Sequence, residues 1–330
     1  MVMNQQSRPR AFSGIQPTGA LHLGNYLGAV KNWVDLQTTT SGTYCIVDLH
    51  ALSVPRPPGE VGKATIELAA DLLAIGIDPE QSTLFVQSHV REHTELAWHM
   101  QCVAAVGELR RMTQFKEKGE QSDFVSTALF TYPTLQAADI VLYDTDIVPV
   151  GDDQRQHLEF TRDITTRFNH RYGEVLVVPE PVIAAAGARI MDLQNPTSKM
   201  SKSAESPQGV IYLSDTPAQI TKKLKRAVTD SDGEVRYDPE NKPGVANLLS
   251  ILGVATDTDP ETLASQYTQY GPLKSDAADA LVAMLEPIQK RRAEIDPQIT
   301  SDLLKAGADK ARSVAQPVMK RVIDAVGLAQ

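Results

Sequence analysis

Short strand-like runs alternate with amphipathic helical runs through the first half of the chain, and this alternation restricts the fold more than any other feature. Residues 10–16 form a short apolar stretch that runs into a Pro-Thr-Gly turn. Leu23, Leu27, Val30, Val34 and Leu36 then recur at helical spacing. Residues 44–49 (Tyr-Cys-Ile-Val-Asp-Leu) are dense and partly β-branched, as a buried strand requires. A second helix over about 60–75 stops near Gly76, and residues 84–87 read as a third strand. Strand, helix, strand in this order implies a parallel sheet with crossover helices.

The pattern pauses over about 93–143, which reads as mostly helical with breaks at Gly107 and Gly119. It resumes with a strand at 146–151, a Gly-Asp-Asp turn and a polar helix at 152–171. Beyond about 200 the strand signal largely disappears, and 216–228, 245–252, 260–268, 275–295 and 299–326 all read as helix. The expected fold class is therefore α/β: a Rossmann-like parallel-sheet domain over 1–198 with a helical insertion near 93–143, then an all-α part over 199–330. The last helix can pack back on the first domain. No internal repeat or low-complexity tract is visible.

Composition narrows the function. With 42% hydrophobic and 22% charged residues, the 330-residue chain has the balance of a folded protein. Its formal net charge of −9 argues against a non-specific nucleic-acid coat but leaves room for a local basic groove. The acidity is uneven. Residues 1–198 hold 15 Lys+Arg against 23 Asp+Glu, and residues 199–330 hold 17 against 18. The Lys222–Arg226 run stands out in the second part as a basic cluster. No uncharged apolar run is long enough to span a bilayer, the segment Met1 to Arg10 is polar, and Cys45 and Cys102 suit neither a zinc cage nor a disulfide framework. These features predict a reduced, cytoplasmic protein without a membrane partner.

Two constellations carry chemistry. Residues 14–25 (Gly-Ile-Gln-Pro-Thr-Gly-Ala-Leu-His-Leu-Gly-Asn) join the first strand to the first helix. Ligands in open parallel sheets bind beyond the carboxy ends of the strands, and anions favour helix amino termini. His22 and Asn25, three residues apart, project to one side of the first turn, and Gly24 permits close approach to the backbone. Taken by itself, this segment reads equally well as a loop before a capped helix. The phosphate-loop pattern Gly-x-x-x-x-Gly-Lys-Ser/Thr is absent from the sequence. The second constellation, Lys199-Met200-Ser201-Lys202-Ser203, places two ammonium groups and two hydroxyls in one polar loop. Such a loop can wrap a polyphosphate and follow charge as it moves; alone, it also reads as an exposed basic linker.

Together, the order and placement of the two signatures resemble the class I aminoacyl-tRNA synthetases, whose His-Ile-Gly-His and Lys-Met-Ser-Lys-Ser signatures bind ATP. Nearly the whole chain is similar to the bacterial tryptophanyl-tRNA synthetase family. The likeness rests on Phe12–Gly19, Tyr44–Ala51, Gly107–Lys118, Tyr132-Pro133, Ala137–Ile140, Asp146 to His157, Gly187–Met191, Ala227–Ser231 and Lys242–Gly244. The tyrosine-specific sister family typically ends the first signature with His, where this chain has Asn25.

The resemblance implies ATP-dependent attachment of L-tryptophan to tRNA(Trp) through a tryptophanyl-adenylate, with ATP as substrate and Mg²⁺ beside it. It implies catalytic roles for Gln16, Lys118, Lys199, Ser201 and Lys202. It implies ATP contacts at Gln16, Pro17, Thr18, His22, Gly24, Asn25, Gly151, Asp152, Asp153, Ile190 and Lys199 to Ser203, including Met200. Asp152 and Asp153 can take ribose hydroxyls or a Mg²⁺-bound water, and they can equally cap the helix that follows. Tryptophan contacts are implied at Phe12, Gly14, His50, Tyr132, Gln136, Asp139, Val148, Val150 and Gln154. Indole offers one donor and no acceptor, so the Asp139 carboxylate suits it as a reader. Without the resemblance, Asp139 reads as a surface acid on a helix. Gln136 departs from the family, which commonly has Met before Ala-Ala-Asp.

The resemblance also implies a homodimer through the insertion near 93–143 and anticodon reading by the helical part. Three other readings compete: the same chemistry with tyrosine, a small nucleotidyltransferase with a His-x-Gly-His signature, and an inactive duplicate acting as a regulator. Amino-acid-dependent ATP–pyrophosphate exchange separates them.

Overall fold

The structure is a computed structural model and describes residues 8–113, 115, 125–151, 154–183, 190–201 and 206–329. Five parallel strands form one sheet: β1 (Arg10–Ile15), β2 (Ser41–Ile46), β3 (Thr83–Val86), β4 (Ile147–Val150) and β5 (Glu180–Ile183), in the order β3-β2-β1-β4-β5. This is the doubly wound, Rossmann-like arrangement that the alternation requires.

The helices are α1 (Leu23–Asn25), α2 (Lys31–Leu36), α3 (Asp48–Ala51), α4 (Glu60–Ile75), α5 (Glu92–Gln101), α6 (Val106–Leu109), α7 (Thr127–Val141) and α8 (Arg155–Tyr172) in the sheet-bearing part. Beyond it come α9 (Pro217–Lys225), α10 (Pro243–Thr256), α11 (Pro260–Ala264), α12 (Tyr270–Glu294) and α13 (Pro297–Val326). Local chemistry sets several ends. Gly76 closes α4 with φ +127°, which favours glycine. Thr216 and Gln219 cap α9 reciprocally, and the Asp296 side chain caps α13 ahead of Pro297.

The strand expected over 44–49 lies earlier, at Ser41–Ile46. Its ladder ends with Val47 donating to the Ile15 carbonyl, and residues 48–51 then turn into α3. Strand β5 gave no strand-like signal, because Pro181 interrupts it; proline is tolerated there since β5 is an edge strand. The helix expected from Leu23 onward contains a π-helical turn at Tyr26–Val30. Helix α11 stops at Ala264, short of residue 268, and α12 starts at Tyr270, ahead of residue 275.

Two buried apolar clusters flank the sheet. One runs from Leu23 and Tyr44 through Met200 and Ile211 into Leu248 and Leu281 of the helical part. The other joins Phe12, Phe85 and Ala138 to Ala308 and Val322 of α13. Helix α13 therefore lies against edge strand β3. A Cβ on Gly307 would come within 1.9 Å of the Leu84 carbonyl oxygen, so only glycine permits the approach. The same helix covers a sheet edge that would otherwise expose unpaired backbone.

Candidate active site

Strands β1 and β2 pair along all of β1, whereas β1 and β4 pair only at Ala11↔Ile147. Toward their carboxy ends β1 and β4 separate, and a cleft of about 520 Å³ opens there. This is the point where strand order reverses and where open α/β sheets bind ligands.

One end of the cleft is built by the two sequence signatures. After β1, Gly19 adopts φ +75° in the turn. His22 and Asn25 then form a reciprocal cap: the Asn25 amide donates to His22 Nδ1 (3.3 Å), and the His22 amide donates to Asn25 Oδ1 (3.4 Å). Leu23 donates to the Ile211 carbonyl (2.8 Å) and Leu213 donates to Leu21 (3.0 Å), fastening the first signature to the chain that follows the second. Met200 is buried although its loop is polar, and its amide donates to the Ile190 carbonyl (3.0 Å). A Cβ on Gly24 would stand 3.5 Å from the Met200 carbonyl oxygen, so the two signatures lie in contact range.

Gln16, His22, Gly24, Asn25, Gly151, Lys199, Met200 and Ser201 line the cleft. Pro17 is buried in the turn, Thr18 donates its amide to the Gln16 carbonyl, and Ile190 lies in the core; these three are not among the lining residues. Lys118, Asp152, Asp153, Lys202 and Ser203 fall outside the described residues, as does the side chain of Val150.

The other end is organised by α7. Tyr132, Gln136 and Asp139 recur at i, i+4 and i+7, so one helical face turns all three to the cleft. Phe12, Gly14, His50, Val148 and Gln154 complete the wall. A Cβ on Gly14 would meet Val47 at 2.9 Å. Tyr132 pairs through its hydroxyl with His157 Nε2 (2.5 Å) and meets the His50 ring edge-on at 6.2 Å. Gln136 Nε2 donates to Gln154 Oε1 (3.3 Å), so the polar departure from the family has a polar partner.

Asp139 is 2% exposed and fully occupied on one oxygen. Oδ1 accepts from Gln87 Nε2 and pairs with His93 Nδ1, each at 2.7 Å, while Oδ2 pairs with His50 Nε2 at 2.7 Å. Burial alone would push its carboxyl up, but His50 and His93 outweigh burial and hold it well below the usual carboxylate range. The site thus presents a fixed anion with one acceptor direction left on Oδ2.

A family model described as tRNA synthetases class I (W and Y) matches residues 3–286. The chain belongs to this family. A tryptophan–tRNA ligase of Caldanaerobacter subterraneus is 51% identical over 97% of this chain and 98% of its own length. That of Bacillus subtilis is 48% identical, with the same two coverages. Among solved structures, tryptophanyl-tRNA synthetase from Mycoplasma pneumoniae superposes with a TM-score of 0.92 at 37% identity, covering 98% of both chains. The Campylobacter jejuni enzyme, complexed with ADP and tryptophan, gives 0.83 at 33% identity, covering 97% of this chain and all of its own.

In this class I synthetase, sequence reasoning missed Gln87 and His93. Gln87 directly follows strand β3, and His93 lies in the first turn of α5. A polar residue placed directly after a buried strand was the available signal for Gln87; nothing local distinguished His93. The Lys222–Arg226 cluster also needs correction. Lys223 is buried, its ammonium donating to the Val210 carbonyl (2.7 Å) and Asp215 Oδ2 (2.6 Å), which leaves Lys222, Lys225 and Arg226 as the members that can meet a partner.

Proposed function

We propose that this cleft carries out tryptophan–tRNA ligation, with the Asp139 end selecting the amino acid and the two signatures handling ATP. The enzyme attaches L-tryptophan to tRNA(Trp) in two steps. In the first, a tryptophan carboxylate oxygen attacks the α-phosphorus of ATP, the bond to the bridging oxygen breaks, and pyrophosphate leaves. In the second, a hydroxyl of the tRNA 3′-terminal ribose attacks the adenylate carbonyl, and AMP leaves. The carboxylate is already nucleophilic, so the first step needs no base from the protein. The protein contributes positioning and charge stabilisation.

Asp139 carries the selection. Its Oδ2 retains an acceptor direction toward a cleft walled by Phe12, Gly14 and Val148, which suits a flat ring with one N–H donor. A ring without that donor would leave the anion unpaired, a defect that sites of this type translate into roughly 10⁴–10⁵-fold rejection. Lys199 and Ser201 stand at the phosphate side, and Lys118, Lys202, Asp152 and Asp153 join them in our assignment. Mg²⁺ enters with the triphosphate as part of the substrate.

The homodimer is supported by where apolar side chains remain uncovered. Trp98 and Val106 are 65% and 57% exposed on α5 and α6, and Leu52, Val54 and Val125 are also exposed. Ser126 donates to the Ser53 carbonyl, so the last three sit close together. No helix among the described residues is long and apolar enough to cross a membrane. Cys45 and Cys102 are free thiols, in keeping with a reducing compartment such as the cytoplasm.

ATP–pyrophosphate exchange across all twenty amino acids tests the proposal. Tryptophan alone should support exchange, and Asp139→Ala should raise the tryptophan requirement far more than the ATP requirement. Equal effects on both would refute indole readout; exchange with tyrosine would refute the choice of substrate.

A further inference from the structure

A carboxylate can read one N–H only if it keeps one orientation, and Asp139 Oδ1 is held from outside the cleft. His93 is fully buried and is not among the residues that line the cleft. Its Nδ1 lies 2.7 Å from Asp139 Oδ1, and its Nε2 lies 2.7 Å from the Tyr143 hydroxyl. An ionised Asp139 only accepts, so Nδ1 carries a proton. In the neutral ring with that tautomer, Nε2 is the acceptor, and Tyr143 donates its hydroxyl proton there. Burial pushes the Tyr143 hydroxyl well above its ordinary value, so it remains a donor.

The same tyrosine reaches the pocket wall. Its ring stacks on Phe12 at 5.7 Å and 8°, and Phe12 lines the cleft. Gln87 takes the second direction on Oδ1, which leaves Oδ2 as the oxygen turned to substrate. Phe12, Tyr143, His93 and Asp139 thus form a continuous chain from the wall beside the substrate ring to the group that reads its N–H.

We infer that His93 and Tyr143 are positioning residues for tryptophan selection: Tyr143 fixes the His93 tautomer, and His93 fixes the Asp139 carboxylate so that Oδ2 meets the indole N–H. This rests on the reading of Asp139 given above. It assigns specificity to two side chains that touch no substrate.

The test compares tryptophan with its benzothiophene analogue, in which sulfur replaces the N–H, in pyrophosphate exchange by the full-length enzyme. His93→Leu should raise the tryptophan KM by about 10–100-fold, the worth of a charge-assisted hydrogen bond with its partner left unmet. The ATP KM should stay within about twofold, and discrimination against the analogue should fall by the same factor as the tryptophan KM rises. His93→Asn keeps a donor near the Nδ1 position and should restore most of the discrimination. Tyr143→Phe removes one oxygen and should give an intermediate loss; it carries the test if His93→Leu does not fold. Unchanged discrimination in His93→Leu or Tyr143→Phe, while Asp139→Asn abolishes it, overturns this inference alone. Unchanged discrimination in Asp139→Asn overturns the underlying reading as well.

Discussion

Asn247 of α10 grips the backbone of Met191 with both ends of its amide: Oδ1 accepts from the Met191 N–H and Nδ2 donates to the Met191 carbonyl, each at 2.9 Å. Met191 in turn forms a bridge with Lys199, the first residue of the Lys-Met-Ser-Lys-Ser signature. The helical part therefore holds the strand-like bridge from which the Lys-Met-Ser-Lys-Ser signature starts.

Asn247→Ala removes both bonds and leaves the Met191 groups unmet beside a buried position. It should cost about 1–3 kcal/mol of stability, read by urea unfolding. It should also slow tryptophan activation while leaving the tryptophan KM near wild type, since neither Asn247 nor Met191 is among the residues that line the cleft around Asp139. Wild-type values in both measurements would show that the grip is dispensable.

Much of this architecture was legible because it rests on periodicity. The strand–helix alternation gave the parallel sheet, and the two signatures gave the cleft, since both depend on residues that announce themselves locally. Strand β5 was not legible, because its ordering comes from pairing with β4 while Pro181 breaks the local signal. The surroundings of Asp139 were legible only in part. His50 stands beside a recognisable strand, but His93 meets Asp139 through tertiary packing of α5 on α7. Lys223 shows the opposite error: within a run of charges it reads as solvated, yet Asp215 and the Val210 carbonyl hold it inside.

Lys202→Ala should slow tryptophan-dependent pyrophosphate exchange by orders of magnitude with little change in tryptophan affinity, because the mechanism proposed above has its charge serve the departing phosphates rather than the indole. Exchange near the wild-type rate would remove Lys202 from the mechanism.

The tRNA prediction concerns only Lys222, Lys225 and Arg226, since Lys223 is held inside. Charge reversal at the three together should weaken tRNA(Trp) binding. It should also flatten the salt dependence by about one unit of slope for each phosphate that is no longer neutralised. Pyrophosphate exchange should be untouched, since these residues lie outside the cleft. Binding with an unchanged salt slope would place the tRNA surface elsewhere.

Asp139 also fixes a pH dependence. Its folded-state carboxyl lies well below the ordinary value, so its contribution to stability is fully present above the unfolded pKa of about 3.9 and is lost as pH falls toward the folded value. The stability difference between wild type and Asp139→Asn should therefore hold from about pH 8 to pH 5 and narrow below about pH 4. Thermal unfolding of both proteins across that range measures it; a gap that widens in acid would reverse the sign assigned to this group.

Gly307 offers the most stringent test of how α13 seats on the sheet. Alanine there would force its Cβ against the Leu84 carbonyl, a backbone atom of β3 that cannot rotate away. Helix propensity favours alanine over glycine by about 1 kcal/mol, so an unconstrained helix would gain stability from the change. Packing opposes it, and overpacking against a fixed backbone costs about 1–3 kcal/mol or more. Because the clash is with backbone rather than a movable side chain, the packing cost should win, and Gly307→Ala should lower the unfolding midpoint in urea. A stabilised variant would mean that α13 stands off β3 in solution, and the edge strand would then lack the cover that this helix provides.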